Sequence, residues 1–211
     1  MNNPVRLLLI RHGETDWNNT GRVQGHTDTP LNANGIAQAC HLATRIAAEE
    51  SFAAMYASPL ARARVTAEII AERCGATPIL DDRLKEQMLG EFEGLTDADL
   101  EQRFPGALAA WRAYPLQSPL PGQERRDAFQ QRVQSFLDDL RARHVDGTRV
   151  AVVTHGGTIG MMLASLIGLD IGKRFPFWFD NASLSRVDLS GGRVRLRLLN
   201  DTCHLRNGRG K

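Results

Sequence analysis

The chain has 211 residues, 42% hydrophobic and 24% charged, with a formal net charge of +2. That is long enough for one sizeable domain with a buried core, and the balance of charge makes no case for nucleic-acid or membrane binding. Of the 26 basic residues only three are lysines, Lys85, Lys173 and Lys211, so anions are met here by planar guanidinium forks rather than point charges.

Val5–Ile10 is a short apolar run that reads as a strand buried on both faces. A polar, glycine-containing loop follows from Gly13 to about Asn32. Apolar residues at helical spacing predict a helix over 33–50, then a strand over 52–57 that ends in Ser58-Pro59. A second helix spans 60–74 with Gly75 just past its end as a C-cap, and Pro78–Leu80 reads as a short strand. Residues 81–123 are irregular, with small helices near 97–103 and 107–112. A long amphipathic helix covers 124–144. Strand 150–153 and helix 158–167 come next, and strands 183–189 and 193–199 flank Ser190-Gly191-Gly192 as a hairpin. The polar, basic tail after His204 reads as loosely ordered. The alternation predicts an α/β fold with a mostly parallel sheet between helical layers. We read residues 1–205 as a single domain, 81–123 as an insertion over one end of the sheet, and 206–211 as the tail.

The polar start Met1-Asn2-Asn3-Pro4 carries no signal-peptide pattern. The longest apolar segment, Ile159–Leu169, has 11 residues, about half a membrane span, and reads as a buried helix that holds Met161 and Met162 in the core. Cys40, Cys74 and Cys203 are scattered. They argue against a disulfide framework or a zinc site and fit a reducing, cytoplasmic compartment.

Two strands end on a His-Gly step, Arg11-His12-Gly13 and Thr154-His155-Gly156-Gly157. Ligands of open α/β sheets bind outside the carboxyl ends of the strands, so neighbouring strands would bring both imidazoles to one site. Arg11 and Arg62, the latter just past a strand in Ser58-Pro59-Leu60-Ala61-Arg62, add two guanidiniums. The helix start after His155 adds backbone N–H groups. Together they suit a phosphoryl group whose charge spreads over its oxygens during transfer. A neutral imidazole is a competent nucleophile toward phosphorus. The leaving group needs a carboxylic acid, and Glu86, Glu14, Glu91 and Glu93 are all candidates. There is no Walker loop and no obvious carboxylate cluster for Mg²⁺, so neither a metal nor another cofactor is expected.

Six ordered segments resemble the histidine phosphatase superfamily, the group containing phosphoglycerate mutases. They are Arg11-His12-Gly13-Glu14-Thr15-Asp16-Trp17-Asn18, Gln24–Leu31, Ser58–Ala67, Leu84-Lys85-Glu86 with Gly90–Gly94, Thr154–Gly157, and Asn200–Leu205. The resemblance implies a three-layer α/β/α sandwich with His12 as the phosphorylated nucleophile and Glu86 as the proton donor. It implies that Arg11, Arg62 and His155 bind the phosphoryl oxygens, and that Asn18, Gln24, Gly25, Gly156 and Gly157 line the pocket.

The catalytic residues do not separate a phosphatase of small phosphorylated metabolites from a cofactor-dependent phosphoglycerate mutase. The insertion reads Glu93-Gly94-Leu95-Thr96-Asp97, without the Asn-Lys-rich segment of such mutases, and the expectation is a phosphatase. A non-catalytic phospho-ligand binder is the third reading, and both His12 and Glu86 stand against it. Remaining expectations are bland. His26, His41, His144 and His204 read as hydrogen-bonded surface residues, and Arg64 is open. Trp111, Arg112 and Tyr114 either pack the insertion or touch substrate. Trp178 and its Phe neighbours belong to the core or to a dimer surface, so a homodimer stays open.

Overall fold

The structure, a computed structural model, describes residues 4–117, 120–145 and 147–208. Its centre is one six-stranded sheet with strands β1 (Val5–Arg11), β2 (Ala54–Ala57), β3 (Pro78–Leu80), β4 (Arg149–Thr154), β5 (Leu184–Ser190) and β6 (Arg193–Asp201), in the order β3-β2-β4-β1-β5-β6. The first four in that order are parallel; β5 and β6 run antiparallel at one edge. The expected α/β sandwich with a mostly parallel sheet is what the chain forms. The β5–β6 hairpin turns at Gly191 and Gly192, both at positive φ, as a two-residue turn between twisted strands requires.

The strands sort their side chains by the period of two. Leu7, Leu9, Val150 and Val152 face one layer, and Leu8, Ile10, Ala151 and Val153 face the other. The first layer is α6 (Arg126–Arg143) and α7 (Gly156–Ile167), with Met161 and Met162 fully buried. The second is α2 (Ala33–Glu49) and α3 (Ala61–Cys74). Asn32 caps α2 by accepting from Gly35 N, and Gly75 ends α3 in the left-handed conformation. No helix among the described residues is long and apolar enough to cross a membrane.

Three details add to or narrow the sequence reading. The loop after β1 contains a one-turn helix, α1 (Asp16–Asn19), closed by a reciprocal capping box between Thr15 and Asn18. Its four residues are too few for periodicity to reveal. The expected loose tail begins instead as a 3₁₀ helix over Cys203–Gly208; residues 209–211 lie outside the described set. Trp178 is not core, being 68% exposed.

The irregular segment has a small core of its own, in which Phe92, Leu100, Leu108 and Leu120 are buried. It carries α4 (Asp97–Arg103) and α5 (Ala107–Ala113), close to the expected ranges.

Candidate active site

Strands β1 and β4 pair in parallel with Arg11 opposite Thr154, so the two His-Gly steps leave the sheet side by side. The His12 and His155 ring centroids are 5.2 Å apart. A cavity of about 410 Å³ opens over this end of the sheet, lined by Arg11, His12, Asn18, Gln24, Gly25, Arg62, Glu86, Gly156 and Gly157 among others. Of the ten residues expected at the site, nine share that wall.

His12 is buried, and its Nδ1 lies 2.7 Å from Gly13 O. A carbonyl only accepts, so Nδ1 carries the proton and Nε2 keeps its lone pair. Burial holds the imidazole well below the ordinary histidine range, with Arg11 and Arg62 pushing the same way. The ring is therefore neutral at pH 7. Its turn is held from several sides. Thr66 Oγ1 accepts from Gly13 N, Ala182 N donates to His12 O, and Asn181 Nδ2 donates to His12 O, Gly13 O and Asn18 Oδ1. A Cβ on Gly13 would run into the backbone of Gly35, so glycine at this step lets the loop lie against α2.

The two guanidiniums make no ion pair among the described residues, although the Glu86 charge lies near enough to favour both. Arg62 is 1% exposed and donates to Gly25 O at 2.8 Å, Thr27 O at 2.9 Å and His155 Nδ1 at 3.2 Å. Burial lowers it to about 10. Arg11 donates to Phe179 O, and its buried Nε has no partner among the described residues. Leaving a buried donor unpaired is costly, so Arg11 is poised for an anion.

His155 departs from its expected place. It is fully buried and absent from the cavity wall. Its Nδ1 accepts from Arg62, which puts the proton on Nε2, 2.8 Å from Ser58 Oγ. Both ring nitrogens are thus engaged, and His155 reaches the cavity through Arg62. Burial, then Arg62, keeps it neutral as well.

Glu86 occupies the start of α7. Its Oε2 accepts from Gly157 N at 2.9 Å and its Oε1 from Gln87 N at 2.9 Å. The helix start expected to offer N–H groups to the phosphoryl ligand instead holds this carboxyl, by the same attraction of N-terminal donors for anions. A Cβ on Gly157 would collide with the carboxyl. The backbone beneath is clamped: Thr154 Oγ1 donates to Leu84 O, Thr158 Oγ1 to Lys85 O, and Arg132 to Arg83 O, Lys85 O and Glu86 O. His26 Nε2 lies 2.7 Å from Glu86 O.

The other acid candidates are occupied elsewhere. Glu93 takes hydrogen bonds from His26 N, Thr27 N, Thr27 Oγ1 and Leu89 N, and these hold it below the usual carboxylate range against the effect of burial. Glu14 accepts from Asn32, and Glu91 pairs with Arg103. Asn18 Oδ1 is used by Thr15 and Asn181, while its Nδ2 makes no bond among the described residues.

Arg64 pairs with Glu68 outside the cavity. Trp111 both packs against the small core of the irregular segment and lines the cavity, beside Arg112; Tyr114 is exposed and does not line it. Trp178 stands at the wall with Nε1 donating to Asp180. Sequence reasoning missed Asn181, Arg132 and Arg126. Each acts through residues distant along the chain, and no local pattern marks them. Among the described residues no group of three or more His, Cys, Asp or Glu side chains is placed to hold a metal ion.

The family model of the histidine phosphatase superfamily (branch 1) matches residues 7–202. Phosphoserine phosphatase 1 of Hydrogenobacter thermophilus is 35% identical over 201 residues, 95% of this chain and 94% of that one. Phosphoglycerate mutase-like protein 4 of Arabidopsis thaliana is 38% identical over 157 residues, 74% of this chain and 68% of the relative. The solved structure of a mycobacterial glucosyl-3-phosphoglycerate phosphatase in complex with VO3 superposes with a TM-score of 0.82 at 32% identity, covering 93% of this chain and 98% of that chain. The chain belongs to the histidine phosphatase superfamily. It is an enzyme of the phosphatase kind.

Proposed function

We propose that the enzyme hydrolyses small phosphomonoesters through a phosphohistidine on His12. The observation that carries this reading is the neutral His12 ring, with its proton fixed on Nδ1 by Gly13 O, beside an Arg11 Nε that has no partner among the described residues. The Nε2 lone pair attacks phosphorus, the P–O ester bond breaks, and the departing alkoxide takes a proton from the Glu86 carboxyl. The resulting carboxylate then accepts a proton from water, whose oxygen attacks phosphorus. The N–P bond breaks, its electron pair returns to Nε2, and inorganic phosphate leaves.

Arg11 and Arg62 hold the phosphoryl oxygens, joined by the Asn18 amide. His155 keeps Arg62 in place through the Nε–Nδ1 hydrogen bond. Gln24, Gly25 and Gly156 form the rest of the phosphate pocket, and Gly157 lines it while its N–H holds the Glu86 carboxyl. Guanidinium donors supply the charge stabilisation for which other phosphotransferases use metal. Segment 81–123, which gives Glu86, Gln87, Leu89, Trp111 and Arg112 to the wall, acts as the cover of the site. The three unpaired cysteines fit a reducing, cytoplasmic setting.

The phosphatase names of two of these relatives support hydrolysis over mutase transfer, as does an insertion without the Asn-Lys-rich segment. The test is rapid quench with ³²P-labelled phenyl phosphate. Wild type should form an acid-labile, base-stable protein adduct and release phosphate, and His12→Ala should do neither. Turnover by His12→Ala at near the wild-type rate overturns the reading. Efficient transfer to 2-phosphoglycerate from 3-phosphoglycerate, without phosphate release, would assign the mutase instead.

A further inference from the structure

Two arginines are buried among the described residues, Arg62 at 1% and Arg126 at 9% exposure, and both line the same cavity. Neither has a carboxylate partner among the described residues; their hydrogen bonds go to backbone carbonyls, a hydroxyl and His155. A guanidinium largely removed from water without a counter-charge is expensive to keep. The phosphoryl group explains Arg62. Arg126 is not part of that cage.

Arg126 opens α6. Its Nε donates to Ile171 O at 2.6 Å, and its guanidinium carbon stands 4.3 Å from the centroid of the Phe175 ring. Its Nη1 and Nη2 make no hydrogen bond among the described residues. Burial lowers its pKa to about 10, and no carboxylate opposes the shift. Of the exposed arginines of the wall, Arg22 pairs with Asp99 and Arg112 with Asp97, while Arg174 makes no ion pair among the described residues. Much of the wall outside the cage is apolar, from Val23, Leu89, Trp111, Phe129, Phe175 and Phe177.

We propose that Arg126 is a second anion subsite, so that the substrate's alcohol part has an apolar, ring-sized body carrying a carboxylate that pairs with the Arg126 fork. One unpaired guanidinium with its Nη1–Nη2 edge free matches a singly charged, bidentate carboxylate. A second phosphate dianion would call for more than one buried cation, and Arg174, the other wall arginine without an ion pair among the described residues, is exposed. This rests on the phosphomonoesterase reading above and adds the substrate class.

The experiment measures kcat/KM for phenyl phosphate and for its 2-, 3- and 4-carboxy derivatives, on wild type, Arg126→Met and Arg126→Lys. Wild type should prefer at least one carboxylated ester over phenyl phosphate, and Arg126→Met should lower that preference about tenfold or more. Comparing the preference within each protein cancels both leaving-group differences and general damage to the cavity. Arg126→Lys, which keeps charge and stem but loses the fork, should retain part of the preference; it also replaces the Met variant if that chain fails to fold. The same preference in wild type and in the folded variant, or none in wild type, overturns the subsite. Binding of phenylphosphonate and its carboxy derivatives, followed by calorimetry, reads Arg126 without turnover. If wild type hydrolyses none of the esters, the phosphatase reading fails, and the binding arm still decides the subsite by whether Arg126→Met weakens the carboxylated phosphonate selectively.

Discussion

Keeping His12 and His155 neutral has a thermodynamic consequence that titration of stability exposes. Both rings are held well below the ordinary histidine pKa by burial and by adjacent guanidiniums. In the unfolded chain each titrates near about 6.5. Below that pH the unfolded state takes up protons that the folded state refuses, so stability falls as pH falls, with a slope of about 1.4 kcal/mol per pH unit for each group. A ring that stays neutral down to pH 5 therefore removes about 2 kcal/mol between pH 7.5 and 5, and the pair about 4 kcal/mol.

Carboxylates with lowered pKa, such as Asp81, Glu93 and Asp201, lose their contribution below about pH 4.5, beneath this window. His144 and His204 are also lowered and add the same sign to every variant. The assay is urea unfolding at half-unit pH steps from 7.5 to 5 for wild type and His12→Asn. The variant should be less pH-sensitive by about 2 kcal/mol across that range. Equal pH dependence of the two proteins would mean that folded His12 protonates near 6.5, and the argument for a neutral nucleophile would fall.

Other outcomes follow from the same geometry. Glu86→Gln should slow phosphoenzyme formation from alkyl phosphates by about two to four orders of magnitude and from p-nitrophenyl phosphate much less; equal losses in the burst rate would make Glu86 a positioning residue. Gly157→Ala, whose Cβ meets the Glu86 carboxyl, should cost about a hundredfold with alkyl phosphates while leaving the unfolding midpoint nearly unchanged, and an unaffected rate would place the acid elsewhere. Asn181→Ala removes three hydrogen bonds around the His12 turn and should lower stability by about 1–3 kcal/mol in urea titration, together with kcat. Chelators should leave the rate unchanged and orthovanadate should inhibit strongly; loss of activity with chelator and recovery with Mg²⁺ would contradict charge stabilisation by arginine alone.

The sequence by itself determined the layers and most of the phosphoryl site. Apolar runs of period two and stretches of helical spacing are local signals, and they placed β1, β4, α2, α3 and α7 within a few residues. The two His-Gly steps at strand ends located His12 and His155 at one end of the sheet, because a parallel sheet puts the ends of neighbouring strands together. What only the tertiary structure decided was the choice among equivalent groups. Glu86, Glu14, Glu91 and Glu93 look alike along the chain; the first is held at the start of α7, and the others are spent on Asn32, Arg103 and the 26–27 backbone. His155, expected to touch the phosphoryl group, sits behind Arg62 with both nitrogens engaged. Trp178, open between core and surface, lies at the cavity mouth because the stretch between α7 and β5 crosses the carboxyl end of the sheet. Arg126, Arg132 and Asn181 carry no signature at all. Apart from the Arg132–Glu124 pair, eight residues apart, their partners lie tens to more than a hundred residues away, so hydrogen-bond assignment and burial there depend on the packed fold.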